Sequence, residues 1–240
     1  AEKYNLGNFE FSQNYFMFFD KLEKSNYFLE NILQTLDESY DSRLMMHLLH
    51  SPVQDGGQWD MFVNLIEKYG VVPQSVMAES FQSSQSRMMN QFLTRKLREF
   101  AWTLREMNSK GKKLSDLRKE KVEMMSTIYS MLCVCLGNPP EKFDWQTRDK
   151  KNKFIRLTDL TPVDFYKKHS NVNLKDKVCL IHAPMSNKKM NELYTVSFLG
   201  NVIGGQIIKY ANVEIEDIKR AAIKSIKNNE SIWFGCDVGK

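Results

Sequence analysis

The sequence has no apolar run approaching the roughly 20 residues of a membrane helix, and no basic stretch followed by an apolar core at its start. Neither a membrane span nor a secretory signal is expected, so the chain reads as a soluble cytoplasmic protein. Cysteine is scarce: Cys133, Cys135, Cys179 and Cys236 in 240 residues are too few for a disulfide scaffold, and their spacing fits no zinc pattern. Cys133 and Cys135 lie two apart in a helix-like run, which turns them to nearly opposite faces and prevents chelation. The four histidines give no HExxH pattern. His47 and His50 read as partly exposed residues near a helix end. Gly204-Gly205 lacks the lysine and hydroxyl of a phosphate cradle, and no serine-nucleophile elbow occurs. Cys179 and His182 sit three apart on a strand candidate and so point to opposite faces. The residues alone contain no complete catalytic machine, no metal site and no cofactor motif.

What is present is the composition of a folded protein, 42% hydrophobic and 26% charged, which argues against disorder. The net charge of +5 is uneven. Residues 1–86 carry 5 basic and 12 acidic side chains, residues 87–121 carry 11 and 4, and residues 122–240 carry 18 and 13. The basic excess belongs mainly to one stretch, where Arg95, Lys96, Arg98 and Arg105 are threaded among Met88, Phe92, Leu97, Phe100 and Leu104. Such a run is ordinarily a solvated helix face, with a nucleic-acid or acidic-ligand surface as the competing reading.

Periodicity and punctuation predict an α+β fold without internal repeats. A short opening helix stops at Gly7-Asn8, and Ser12 caps an aromatic-rich helix through Tyr15, Phe18, Phe19 and Leu22. Phe62, Leu65, Ile66 and Tyr69 mark a helix closed by Gly70. Residues 87–121 read as helical with a turn at Lys110-Gly111-Lys112-Lys113. A further helix from about Val122 ends at Gly137-Asn138-Pro139-Pro140, and Thr161-Pro162 opens another. Val178–His182, Tyr194–Phe198 and Ser231–Cys236 are strand candidates, the last preceded by an amphipathic helix through Ile215, Ile218, Ala222 and Ile226. The first residue is Ala1 rather than Met, and the chain runs from a strand-like stretch into its last four residues, so both ends read as cuts.

Gly56-Gly57, just before the Trp59 helix, has two readings. One is a tight turn that needs positive φ; the other is backbone bared for a ligand chain to hydrogen-bond. Turn glycines are the more common case.

Four strings carry a resemblance: Asp55-Gly56-Gly57-Gln58-Trp59-Asp60-Met61, Glu67-Lys68-Tyr69-Gly70-Val71-Val72-Pro73, Cys135-Leu136-Gly137-Asn138-Pro139-Pro140 and Trp233-Phe234-Gly235-Cys236-Asp237-Val238-Gly239-Lys240. With Phe9–Gln13 and Leu193–Asn201 in the same order, they are similar to the bleomycin hydrolase and bacterial aminopeptidase C family, the cysteine aminopeptidase branch of the papain-like proteases. The resemblance covers essentially the whole chain. It implies an incomplete papain-like fold: residues 1–84 as part of the helical lobe with the Gly-Gly substrate loop, 85–214 as a large mixed insertion, and 215–240 as a return into the papain-like core. It also implies thiol-dependent removal of N-terminal residues from peptides, without metal or other cofactor, in a hexameric ring whose channel is positively charged. The nucleophile's Q-x-x-x-G-x-C-W context is absent, so the cysteine belongs upstream of Ala1 and the histidine and asparagine downstream of Lys240. No catalytic role falls on any residue here, and the chain alone is expected to be inactive. Gly57 with Gly56, and less securely Gly235, fit the positions that hold substrate backbone, which favours the second reading of the glycine pair. Arg95, Lys96, Arg98 and Arg105 become a candidate channel or nucleic-acid surface, with subunit assembly as the competitor. A non-catalytic binding module built on that surface is the alternative function.

Overall fold

A computed structural model describes residues 1–170 and 174–236. The chain divides into two compact units, and the α+β mixture expected from the sequence is present.

The first unit comprises residues 1–170 and 198–206. Its frame is three long helices: α1 (Gln13–Gln34), α5 (Arg87–Ser109) and α6 (Leu114–Leu136). Shorter helices α2 (Arg43–His50), α3 (Trp59–Tyr69) and α4 (Phe81–Ser84) lie between α1 and α5 in sequence. Phe18, Leu29, Ile32, Leu97, Leu104, Leu117, Ile128 and Leu132 pack into one core where the long helices meet. On α5 the buried stripe is Met89, Leu93, Leu97, Ala101 and Leu104. Met88 and Phe92 are exposed, away from the buried Leu97 and Leu104.

Local chemistry sets the boundaries. Ser12 accepts a hydrogen bond from the Tyr15 amide and starts α1. Gly111 (φ +75) turns the chain from α5 to α6, and Gly137 (φ +88) ends α6. The helix expected from Val122 thus begins earlier, at Leu114. At the N-terminus the turn of Glu2–Tyr4 is stopped by Asn5 in the left-handed region (φ 50), not by Gly7. Gly70 closes α3 at φ +71, and a β-carbon there would lie 2.2 Å from the Pro162 carbonyl, so only glycine fits. Through this gap the Val71 amide donates to the Pro162 carbonyl, fastening α3 to α7 (Pro162–His169), which Thr161 caps.

An antiparallel hairpin that the sequence did not announce, β1 (Phe143–Arg148) with β2 (Phe154–Leu160), lies between α6 and α7. It is bulged between Phe143 and Trp145. Trp145 stacks edge-on against Phe9 and Phe165 at 5.6 and 5.5 Å. Residues 198–206 are sewn to α3: the Asn64 side chain donates to the Gln206 carbonyl and accepts from its amide, and Asn201 donates to the Met61 carbonyl.

The second unit comprises residues 174–197 and 207–236. It holds a three-stranded sheet in which β5 (Tyr210–Asn212) is central, parallel to β3 (Cys179–Ile181) and antiparallel to β4 (Glu192–Tyr194). The fully buried Asn212 organises it, its side chain accepting from the Ala183 amide and donating to the Ala183 and Lys189 carbonyls. Helix α8 (Ile215–Lys227) follows. The strand expected at Tyr194–Phe198 stops at Tyr194, and Phe198 adopts φ 59. Residues 231–236 form no ladder and stay exposed, so their strand-like composition is not matched by pairing. No helix of the described residues is long and apolar enough to cross a membrane.

Candidate functional site

The Gly56-Gly57 loop is held from below by two lysines of α1. Lys21 is fully buried and its Nζ donates to the Val53 carbonyl at 2.7 Å and to Asp55 Oδ1 at 2.6 Å. Lys24 Nζ donates to Asp20 Oδ2 (2.7 Å) and to the Gln54 and Gly56 carbonyls (2.8 Å each). All three of its protons are used. A buried ammonium is tolerated only with such partners, so the loop and the lysines fix each other. From the other side Ser86 and Asn90, at the start of α5, donate to Asp55. Partial burial alone would raise the Asp55 pKa, but hydrogen bonds from Lys21, Asn90 and Ser86 outweigh it and hold the carboxyl at about 2. Burial, reinforced by the neighbouring Lys24 charge, lowers the pKa of Lys21, while burial raises that of Asp20.

On this support the two glycines are exposed. Neither has positive φ, and a β-carbon on either would meet nothing within 4 Å. The tight-turn reading of the pair is therefore excluded: the fold asks for glycine here neither by conformation nor by contact. Among the described residues the Gly57 amide and carbonyl form no hydrogen bond. The loop presents the unbonded Gly57 backbone just before the N-terminus of α3.

The other expected site residues fare differently. Gly235 lies in the second unit, on the exposed segment 231–236, with open space about it. Arg95 is exposed, and Lys96 pairs with Glu99 at 3.0 Å. Arg98 donates to the Leu49 and His50 carbonyls at 2.8 and 3.0 Å, and so caps the last turn of α2. Arg105 is buried, donating to the Thr35 and Glu38 carbonyls beyond the end of α1, with its guanidinium 4.4 Å from the Tyr40 ring. Arg105 is thus withdrawn from any basic surface, because unpaired helix-end carbonyls compete for its donors. His47 and His50 are exposed, and among the described residues no cluster fit to hold a metal occurs. The His182 ring hydrogen-bonds to the Val213 carbonyl.

Lys21 and Lys24 were not singled out by sequence reasoning. The available signal was position: Phe18, Lys21, Ser25 and Phe28 share one helical stripe, and a lysine on a core stripe must find a buried acceptor.

The sequence profile of the Peptidase C1-like family matches residues 1–240. The chain belongs to that family. Among its relatives, aminopeptidase C of Listeria monocytogenes is 49% identical over 235 residues, covering 98% of this chain and 53% of that protein. Human bleomycin hydrolase is 42% identical over 243 residues, covering 100% of this chain and 53% of the relative. The crystal structure of PepW from Lactobacillus rhamnosis superposes with a TM-score of 0.96 at 46% identity, covering 100% of this chain and 54% of that one. The papain-like α+β fold implied by the resemblance is therefore the fold of this chain, and its family is the one the sequence motifs suggested. The chain spans about half the length of the curated relatives it matches.

Proposed function

We propose that this chain is the middle portion of a cytoplasmic cysteine aminopeptidase, and that its part in catalysis is to hold the peptide substrate. The observation that carries this reading is the Gly57 backbone: unpaired among the described residues, exposed and free of side chains, on a loop clamped by Lys21 and Lys24. A peptide lying antiparallel to Gly57 gains two main-chain hydrogen bonds, and glycine lets it approach closely. Rigid support matters because binding energy is lost when the receptor backbone must be ordered first.

In the complete enzyme a thiolate attacks the scissile carbonyl to give an acyl-enzyme that water hydrolyses, with histidine as base and asparagine orienting it. Following the family motif, none of these three falls within residues 1–240. Residues 1–84 form part of the helical lobe, 85–214 the insertion, and 215–240 the return to the papain-like core, where Gly235 lines the specificity pocket. The complete protein assembles as a homo-oligomer, a hexamer by family resemblance. The alternative of a nucleic-acid-binding module is weakened because Arg98 and Arg105, half of its basic set, are spent on carbonyls.

The purified chain, incubated with an aminoacyl fluorogenic substrate and a thiol reductant, should show no turnover. Turnover abolished by mutating any of its four cysteines would overturn the reading. In the complete enzyme Gly57→Ala should raise KM by about tenfold, the cost of one good hydrogen bond, with the melting temperature unchanged.

A further inference from the structure

Between α2 and α5 opens a cavity of about 390 Å³, within the size range of small-molecule sites. Helix α5 lines it with Arg98, Ala101, Trp102 and Arg105, whose spacing of three, one and three residues puts them on one helix face. Ala101 is small, so room is left between two guanidinium-bearing residues about 10 Å apart along the axis. Helix α2 contributes Met46, Leu49 and His50. Tyr40 and Trp102 form an aromatic edge, with ring centroids 5.5 Å apart, and are 49% and 59% exposed.

The charge in this cavity is of one sign. No aspartate or glutamate lines it, and among the described residues neither Arg98 nor Arg105 forms an ion pair. Arg105 is buried, with its guanidinium 4.4 Å from the Tyr40 ring. Its Nη1 and Nη2 donate to the Thr35 and Glu38 carbonyls, while its Nε, equally buried, has no hydrogen-bond partner among the described residues. Arg98 uses Nε and Nη2 on the Leu49 and His50 carbonyls, and its Nη1 bonds to no described residue. The carbonyls hold both guanidiniums in place without balancing their charge. A buried cation in that state is destabilising, and an anion beside it offsets the penalty. A carboxylate suits the unused guanidinium donors, being planar and opposite in charge. Tyr40, Trp102, Met46 and Leu49 in turn offer apolar surface to a flat ring.

We infer that this cavity binds an aromatic carboxylate, with the carboxylate at the Arg105 guanidinium, the ring against Trp102, and Arg98 adding to the positive field. The inference does not rest on the peptidase reading. Two sources share that chemistry: a free aromatic acid, and the C-terminus of a peptide that ends in phenylalanine.

Isothermal titration calorimetry of the chain with phenylacetate tests it. Binding should be saturable, with a Kd of about 1 mM or tighter. Phenylacetamide, the neutral isostere, and acetate, which lacks the ring, should each bind at least about tenfold more weakly. In nitrogen-edited NMR the Arg105 Nε–H resonance should shift when phenylacetate is added. Trp102→Ala should weaken binding by about tenfold with the melting temperature unchanged, because the side chain is exposed. Arg98→Gln should narrow the preference for phenylacetate over phenylacetamide by at least about threefold, a ratio that mere loosening of α2 leaves alone. Glycylglycylphenylalanine, titrated beside phenylacetate, distinguishes the sources, since the tighter of the two names it. No saturable binding of either, phenylacetamide bound as tightly as phenylacetate, or an affinity untouched by Trp102→Ala would overturn the proposal.

Discussion

Helices α1 and α8 are both amphipathic, but only one finds its partner within the described chain. On α1, Phe18, Leu29 and Ile32 are fully buried against α5 and α6. On α8 no residue is buried, and Ile215, Ile223 and Ile226 stand in solvent. Trp233 and Phe234, in the same unit, are exposed as well. The contrast teaches that an apolar stripe records a need for burial and does not say where the covering surface comes from. The first unit buries a continuous core between its long helices, and Lys21, Lys24 and Arg105 are each tied to carbonyls. The second has strands of three residues, tied together by their ladders and by the buried Asn212 side chain.

The sharpest way to break this contrast is to make equal cuts in both regions. Leu97→Ala removes a fully buried side chain and should cost about 3 kcal/mol, within the range for leucine truncations in cores, read as a drop in the urea midpoint. Asn212→Ala should cost about 2 kcal/mol by leaving several buried polar groups unpaired. Amide exchange should rise at residues 179–212 of its own sheet while the long helices keep their protection.

A smaller effect concerns Asp55. Its carboxyl is held at about 2, below its ordinary 3.8, so its contribution is complete above about pH 4 and is lost as pH falls through about 2. The difference in melting temperature between the wild type and Asp55→Asn should shrink over that window; a difference constant with pH would show that the Lys21 pair contributes no charge-dependent stability. Least of all, Ile226→Ala on α8 should shift stability by under about 0.5 kcal/mol, because the side chain is largely exposed. A loss as large as that of Leu97→Ala would erase the distinction between the two regions.

Local chemistry was legible in the sequence wherever one residue type determines the outcome. Ser12 and Thr161 cap, and Gly70, Gly111 and Gly137 stop, because caps and left-handed turns are decided within a few residues. The β1–β2 hairpin was not legible, since its turn is built on Asn152 at φ 64 with Asp149 accepting from the Lys151 and Lys153 amides, and no Asn-Gly or Asp-Gly pair announces it. The role of Arg105 was hidden for another reason: its acceptors lie some 70 residues away, and a charge count cannot see across that distance. The candidate site fell between these cases. The glycine pair stood out, but the lysines that support it were masked by the usual expectation that lysine is a surface residue. Ser231–Cys236 shows the converse, with strand propensity and no partner strand among the described residues.

The central claim is that one unit of this chain is built on a buried core of long helices that also clamps a bare glycine loop, while helix α8 of the other buries no residue. Hydrogen exchange of the intact chain, read by mass spectrometry, tests it most directly. The account expects α1, α5 and α6 to exchange slowest, and α8 to exchange orders of magnitude faster. Equal protection of α8 and α1 would contradict it.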